Sequence, residues 1–412
     1  VKEKFLVVLV PHFAPDTAPT GEVISTLVEE FVAMGRRVHV VTALPWYRNH
    51  CVEPGWTGRW VRREKTSWGS IIRVHPFAGK DKKNLLRRAI GFVLFSALAG
   101  VCALCAGGIH RRPHAVLSMS PPLTLGLTGW LTARLRRCVC VFNIQDVFPD
   151  AAITTGAITN KKIISVARWL ERVSYHRSDA VVVLSEDLQK NVIAKIAPRH
   201  RSRVHVIPNF VDAERIVPMD RMTHYRAELG INAETVVMYA GNVGFSQSLT
   251  MMIDAATAMT DVAFVINGDG AARSELMNLA RDIPNIYFSG YQPRERVPEV
   301  LASGDIHVVL LKAGLGAVSV PSKTYSILAA ARPVVAAIDC DTEVTRMLAA
   351  SGAGVVVVPD NAELFISALQ TMCGDLDASR RMGQAGRQWV QSHVSPTVVA
   401  RSYLDLCNSL GR

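Results

Sequence analysis

Short apolar runs alternate along the chain with longer stretches of helical spacing. Residues 5–10, Phe-Leu-Val-Val-Leu-Val, are apolar at every position, as in a strand covered on both sides. Residues 21–34 then place Val23, Leu27, Phe31 and Val32 on one helical stripe, and Gly35 stops it. Further strand runs are predicted at 37–42, 70–75, 115–119, 139–144, 180–184 and 204–207. The alternation restarts at 236–239 and repeats at 262–266, 286–288, 306–310, 333–337 and 354–358. Strands that alternate with helices call for a parallel sheet with helices on both faces. Two such series predict an α/β protein of two doubly wound domains, 1–206 and 207–392, with a last helical segment at 393–412. Ligands of such sheets sit beyond the carboxyl ends of the strands. With two domains, the expected site lies in the cleft between them.

One stretch departs from this rhythm. Residues 89–109 carry no charge, and Lys80, Lys82, Lys83, Arg87 and Arg88 precede them. The length suits a membrane-spanning helix. The flanking runs at 70–75 and 115–119 belong to one sheet, however, and a single crossing would put them on opposite sides of a bilayer. Two readings stay open. The segment is a helix packed on the sheet, or an apolar helix in the membrane interface with basic residues on headgroups.

Charge adds a direction to this picture. The 412 residues hold 46 Lys and Arg against 35 Asp and Glu, a net +11. Residues 1–200 carry 28 basic and 14 acidic side chains, or +14, and residues 201–412 carry 18 and 21, or −3. A basic first half expects an anionic partner. Its basic residues are scattered, without interleaved aromatics, so no nucleic acid is expected. The eight cysteines are irregularly spaced and predict no disulfide framework. Cys102 and Cys105 sit in the apolar run without a second pair, so no metal site is expected there. No secretory signal is legible before residues 5–10, which predicts a cytoplasmic protein.

Candidate chemistry gathers just past the strand runs. Pro11, His12, Phe13, Ala14 and Pro15 follow the first run, and Gly21 lies at a helix start, where free N–H groups favour an anion. Ser120, Pro121 and Pro122 follow 115–119. Gln145, Asp146 and Pro149 follow 139–144, and a carboxylate at a strand's carboxyl end suits binding or catalysis. In the second half, Gly241, Asn242, Val243 and Gly244 follow the first strand, and Gly268, Asp269 and Gly270 the second. Such turns let a phosphate or sugar approach the backbone. Gly316, Ser319, Pro321, Ser322 and Lys323 precede a helix that continues past Ser326. Helix N–H groups and one ammonium would favour phosphate there. An ordinary turn or cap accounts for any one of these motifs, so their order is the stronger signal.

In that order the motifs resemble those of the retaining glycosyltransferases of family 4, with a GT-B fold. The resemblance is closest to the branch that builds O-antigens, capsules and colanic-acid-type exopolysaccharides. It rests on Phe13-Ala14-Pro15 with Gly21, on Ser120-Pro121-Pro122, and on Gln145-Asp146 with Pro149. It continues through residues 206–212, Gly241-Asn242, Gly268-Asp269-Gly270 and Pro321-Ser322-Lys323. It implies two facing Rossmann-like domains, the first for the acceptor and the second for a nucleotide-sugar donor, with a C-terminal helix crossing back to the first. It implies transfer of a hexosyl or N-acetylhexosaminyl group, without metal or other cofactor, to a lipid-linked glycan. The enzyme would then work at the inner face of the cell membrane, meeting the anionic surface through 80–109. Donor contacts fall to Gly241, Asn242, Val243, Gly244, Gly268, Asp269 and Gly270, and to Gly316, Ser319, Pro321, Ser322 and Ser326. Acceptor contacts fall to Pro15, Gly21, Ser120 and Gln145, and catalytic roles to Asp146 and Lys323.

The chain departs from the family in three places. Many members carry Arg and Lys in the turn where this chain has Asn242 and then Ser246 or Gln247. Val318 and Ser326 stand where many members have two Glu. No His occurs in 143–146, and Asp146 takes that place. A nucleotide-sugar epimerase of similar fold and a non-catalytic transferase-like subunit stay open as alternatives.

Overall fold

A computed structural model describes residues 4–48, 51–77, 85–150, 153, 158–316 and 323–411. The chain forms two compact units, Val1–Asn209 with Pro396–Arg412, and Phe210–Ser395. These borders lie slightly beyond the sequence-based 206 and 392. Asn209 stays with the first unit because its Nδ2 donates to Gln145 Oε1 at 3.0 Å. The Val211 N–H bonds the Val394 carbonyl at 3.2 Å, within the second.

The first unit holds β1 (Phe5–Leu9), β2 (Arg37–Ala43), β3 (Val61–Thr66), β4 (Gly69–Val74), β5 (Ala115–Ser120), β6 (Val139–Ile144), β7 (Ala180–Val183) and β8 (Val204–Val206). Their order across the sheet is β3-β4-β2-β1-β5-β6-β7-β8. All neighbours are parallel except β3, which runs antiparallel to β4. β3 is the strand that apolar periodicity missed. It reads Val-Arg-Arg-Glu-Lys-Thr and has no buried residue, because it forms a solvent-washed edge. Charge on such an edge discourages further strand pairing. By contrast β1, β5, β6 and β7 are buried at every position, which is why their apolar runs are uninterrupted.

Helix α1 (Pro19–Ala33) opens on Pro, whose missing N–H is not needed in a first turn. The C-terminal helix Pro396–Leu410 packs against α1, with the Tyr403 ring edge-on to Phe31 at 6.5 Å. Helix α2 (Leu85–Cys105) covers the open segment of the sequence reading. Its Phe95, Ala99, Cys102 and Ala103 are buried against Phe5, Val7, Val41 and Ile72 of the sheet. Its Ile90, Val93, Leu94 and Val101 are exposed. Among the described residues, no helix is long and apolar enough to cross a membrane. Lys80, Lys82 and Lys83 lie outside the described residues. Helices α3 (Thr124–Arg136) and α4 (Lys161–Arg177) complete this layer, with α3 packed against both α2 and α4.

The second unit holds β9 (Val236–Ala240), β10 (Ala263–Asn267), β11 (Ile286–Ser289), β12 (Ile306–Leu310), β13 (Val334–Ala337) and β14 (Gly354–Val357). All are parallel, in the order β11-β10-β9-β12-β13-β14. Strand order reverses between β9 and β12 here, and between β1 and β5 in the first unit. The loops leaving these strands are where a doubly wound sheet opens a crevice.

Candidate active site

In the second unit, the turns after β9 and β10 are bonded to each other. The Gly241 N–H reaches the Asn267 carbonyl and the Val243 N–H the Asp269 carbonyl, each at 2.9 Å. Gly241 and Gly268 hold φ of 148° and 145°, which L side chains rarely adopt. A Cβ on Gly268 would lie 1.8 Å from the Gly241 carbonyl oxygen, and one on Gly270 2.3 Å from that of Val243. This corrects the sequence reading of Gly268 and Gly270. The space they leave is filled by the neighbouring turn and does not stand open for a ligand. Asp269 in turn accepts the Gly270 N–H at 2.8 Å. Val243 is buried, Asn242 is exposed, and the Gly244 N–H donates to Gln247 Oε1 at 3.1 Å.

Lys323 begins the helix Lys323–Ala329, and its Nζ sits 3.6 Å from the centre of the Tyr239 ring. That ring is buried, and its hydroxyl donates to the Asn242 carbonyl at 2.6 Å. One aromatic side chain therefore holds both the turn and the ammonium. The contact with the ring face favours the cation. Burial outweighs it and lowers Lys323 from 10.5 to about 7. An arriving anion would favour the charged form again.

Ser319, Pro321 and Ser322 lie outside the described residues, as does Val318. Gly316 gives its N–H to Asp339 Oδ2 at 3.0 Å, and Gly314 gives its own to the same oxygen at 2.9 Å. Asp360 accepts the Ala313 N–H at 3.0 Å and the Ser248 hydroxyl. Two carboxylates thus fasten the loop after β12. Partly buried Ser326 lies three residues beyond Lys323 on the same helix. Sequence reasoning passed over Tyr239, whose role needs the fold, and Lys312. The side chain of Lys312 is exposed, and its backbone N–H bonds Ser246 at 2.9 Å, beside the turn that lacks the family's basic residues.

In the first unit, the loop after β1 is held by side chains. The Asp16 carboxylate is buried; Oδ2 lies 2.6 Å from His12 Nδ1, and Oδ1 accepts the Tyr47 N–H at 3.2 Å. The His12 ring stacks on Trp46 at 5.3 Å. Arg73 of β4, itself buried, donates to the Ala14 carbonyl at 2.6 Å and to Glu64 at 2.8 Å. Pro15 is exposed at the loop tip. Gly21 is buried beneath His12, where a Cβ would come within 3.0 Å of the His12 Cβ. Ser120 ends β5 with its hydroxyl buried and unbonded among the described residues.

At the end of β6, Gln145 Nε2 donates to Asn143 Oδ1 at 2.6 Å, and Asn143 Nδ2 donates to the Tyr403 hydroxyl at 2.5 Å. With Asn209 on its Oε1, Gln145 links the C-terminal helix to residue 209. Both ends of its amide are engaged, so an acceptor would meet only its second N–H. Asp146 is exposed, and its carboxylate bonds no described residue. Surrounding protein pulls this carboxyl upward, an effect discounted by the water that reaches it.

Two family models match consecutive parts of the chain. A glycosyl transferase 4-like domain matches residues 20–209, and glycosyl transferases group 1 matches residues 222–389. WcaI of Escherichia coli (strain K12), a glycosyl transferase named for colanic acid biosynthesis, is 27% identical over 375 residues, covering 87% of this chain and 89% of its own. Among solved structures, sucrose-phosphate synthase from Thermosynechococcus elongatus superposes with a TM-score of 0.75 at 16% identity, covering 99% of both chains. HepE from Anabaena, solved with UDP, reaches 0.68 at 13% identity, covering 98% of this chain and 100% of its own. At those identities the likeness to solved structures is one of fold. With two doubly wound units and both family models in sequence, the chain belongs to the glycosyltransferases of GT-B fold, a glycosyl transferase 4-like domain followed by a group 1 domain.

Proposed function

We propose that this glycosyltransferase moves a hexosyl or N-acetylhexosaminyl group, with retention, from a nucleoside-diphosphate sugar to a lipid-linked glycan during cell-surface polysaccharide synthesis. The second unit binds the donor and the first the acceptor, at the inner face of the membrane. The observation that carries this reading is the ammonium of Lys323 on the Tyr239 ring, bonded through that ring to the Gly241–Gly244 turn. A leaving diphosphate gains negative charge as the glycosidic bond breaks, and a preformed cation with loop amides stabilises that charge. The departing phosphate oxygen then takes the proton of the attacking hydroxyl on the same face of the sugar. Holding the two substrates in register supplies the rest of the rate. Exposed Asp146 is a first-unit carboxylate free to bond substrate hydroxyls. The colanic acid name of the E. coli relative and the UDP bound by HepE support the substrate classes.

The test begins with thermal stabilisation by a panel of nucleotide sugars, since a ligand stabilises in proportion to the logarithm of its occupancy. Transfer of the stabilising sugar to lipid-linked glycan should follow, and it should persist in EDTA. Donor turnover without any acceptor sugar would favour an epimerase. Loss in EDTA that Mg²⁺ restores would overturn the metal-independent mechanism.

A further inference from the structure

The layer of α2, α3 and α4 leaves its outer side apolar. Val93 and Val101 on α2, Leu131 and Leu135 on α3, and Val166 and Trp169 on α4 are 51% to 64% exposed. Because α3 packs against both other helices, these side chains share one surface. Large uncovered apolar patches mark sites of association. The charges around this one have a single sign. Helices α2 and α3 contain no acidic residue. The only acid of α4, Glu171, is 2% exposed and bound by Lys195 at 2.7 Å. Arg134, Lys161, Lys162 and Arg168 are exposed on the same helices, and the last three form no ion pair among the described residues.

We infer that the outer side of this three-helix layer seats the enzyme on an anionic lipid bilayer, lying in the interface without crossing it. The apolar side chains reach the acyl boundary and the Lys and Arg side chains meet lipid phosphates. Trp169 sits at headgroup depth, where its ring is both apolar and polar-edged. A second copy of this chain would set like charges against each other, whereas an anionic bilayer neutralises them. The inference rests on the lipid-linked acceptor and goes further by assigning the face. Sequence pointed to 80–109 alone; α3 and α4 widen the surface and bring its charge.

The test sediments the full chain with vesicles of phosphatidylcholine, alone or mixed with phosphatidylglycerol. The wild type should bind the anionic vesicles roughly tenfold better, and salt should weaken that binding. The double variant Leu131→Glu/Val166→Glu and the triple variant Lys161→Glu/Lys162→Glu/Arg168→Glu should each lose about tenfold or more. Their circular dichroism and UDP binding should stay unchanged. Brominated lipid should quench wild-type fluorescence more than that of Trp169→Phe. Full vesicle binding by both variants overturns the assigned face and leaves the lipid-linked acceptor standing. A wild type that binds no vesicle overturns both. A dimer in light scattering that Leu131→Glu/Val166→Glu splits makes the face a contact between copies, and the inference falls.

Discussion

The loops beyond the two sheets are held by different means. In the second unit, backbone bonds backbone: the turns at 241–244 and 268–270 exchange N–H and carbonyl groups through glycines that leave no room for a Cβ. In the first, side chains do the holding. Asp16 pins His12 and the Tyr47 amide, Arg73 pins the Ala14 carbonyl, and Gln145 joins a chain from Tyr403 to Asn209. A diphosphate is similar in every nucleotide sugar, and a rigid turn with one cation suits it. Acceptors differ, and loops fixed by exchangeable side chains can be retuned without altering the sheet. The charge follows the same division, +14 in residues 1–200 and −3 thereafter.

The largest effect should come from Gly268→Ala. The added Cβ meets the Gly241 carbonyl at 1.8 Å and the residue must hold a φ of 145°. Strain and displacement together should cost at least about 3 kcal/mol. Denaturant unfolding should show it, with nucleotide binding lost. Wild-type stability would mean that the two turns are not packed as described.

Lys323→Ala comes next. A charge-assisted contact contributes about 1.5–3 kcal/mol, so kcat/KM should fall roughly ten- to a hundredfold or more. Lys323→Gln should do nearly as badly, because it keeps length without charge. Wild-type transfer by a well-folded Lys323→Ala would remove the diphosphate from this position. The depressed amine also makes a pH prediction. Between about pH 7 and the 10.5 of a free lysine, the unfolded chain holds more of this proton than the folded one, so the group's contribution to stability rises with pH. Lys323→Met should therefore gain most in Tm over the wild type below pH 7, and the gain should shrink toward pH 10. A gain independent of pH would mean the ammonium is not buried.

Asn143→Ala tests the side-chain scaffold of the first unit. It leaves the Tyr403 hydroxyl and Gln145 Nε2 without partners, which costs about 1–3 kcal/mol for a buried group. The loss should appear in Tm while UDP affinity stays unchanged. A change in UDP affinity with unchanged Tm would reverse the division between the units. Ser326→Ala should do least: one neutral hydroxyl contributes about 0.5–1.5 kcal/mol. A loss in kcat/KM as large as that of Lys323→Ala would show that Ser326 carries more of the donor than a hydroxyl should.

Much of the second unit was legible because its site is local. Gly241, Gly268 and Lys323 each follow a strand whose apolar run is plain, so position alone marks them. Their reasons were less legible. Gly268 faces Gly241 across some twenty-five residues of chain, and Tyr239 reaches Lys323 across a longer span; no spacing rule joins them. The first unit was harder still. Arg73 belongs to β4 and clamps the loop after β1, while Glu64, its ion partner, lies on the edge strand that periodicity missed. Gln145 looked like a ligand contact because it ends a strand, and its tie to Asn143 and Asn209 appears only when the C-terminal helix is in place.

The sequence by itself determined the alternation of strands and helices, the two series, and the glycines and lysine past the strands. Those are consequences of burial on both faces of a parallel sheet and of backbone conformation, and both are written in consecutive residues. Tertiary structure decided which side of the apolar segment is covered, which carboxylates are spent on loops, and how far burial lowers Lys323. Each of these depends on what packs against a side chain from elsewhere in the chain. Desolvation and hydrogen-bond satisfaction are properties of that packing and have no period along the sequence.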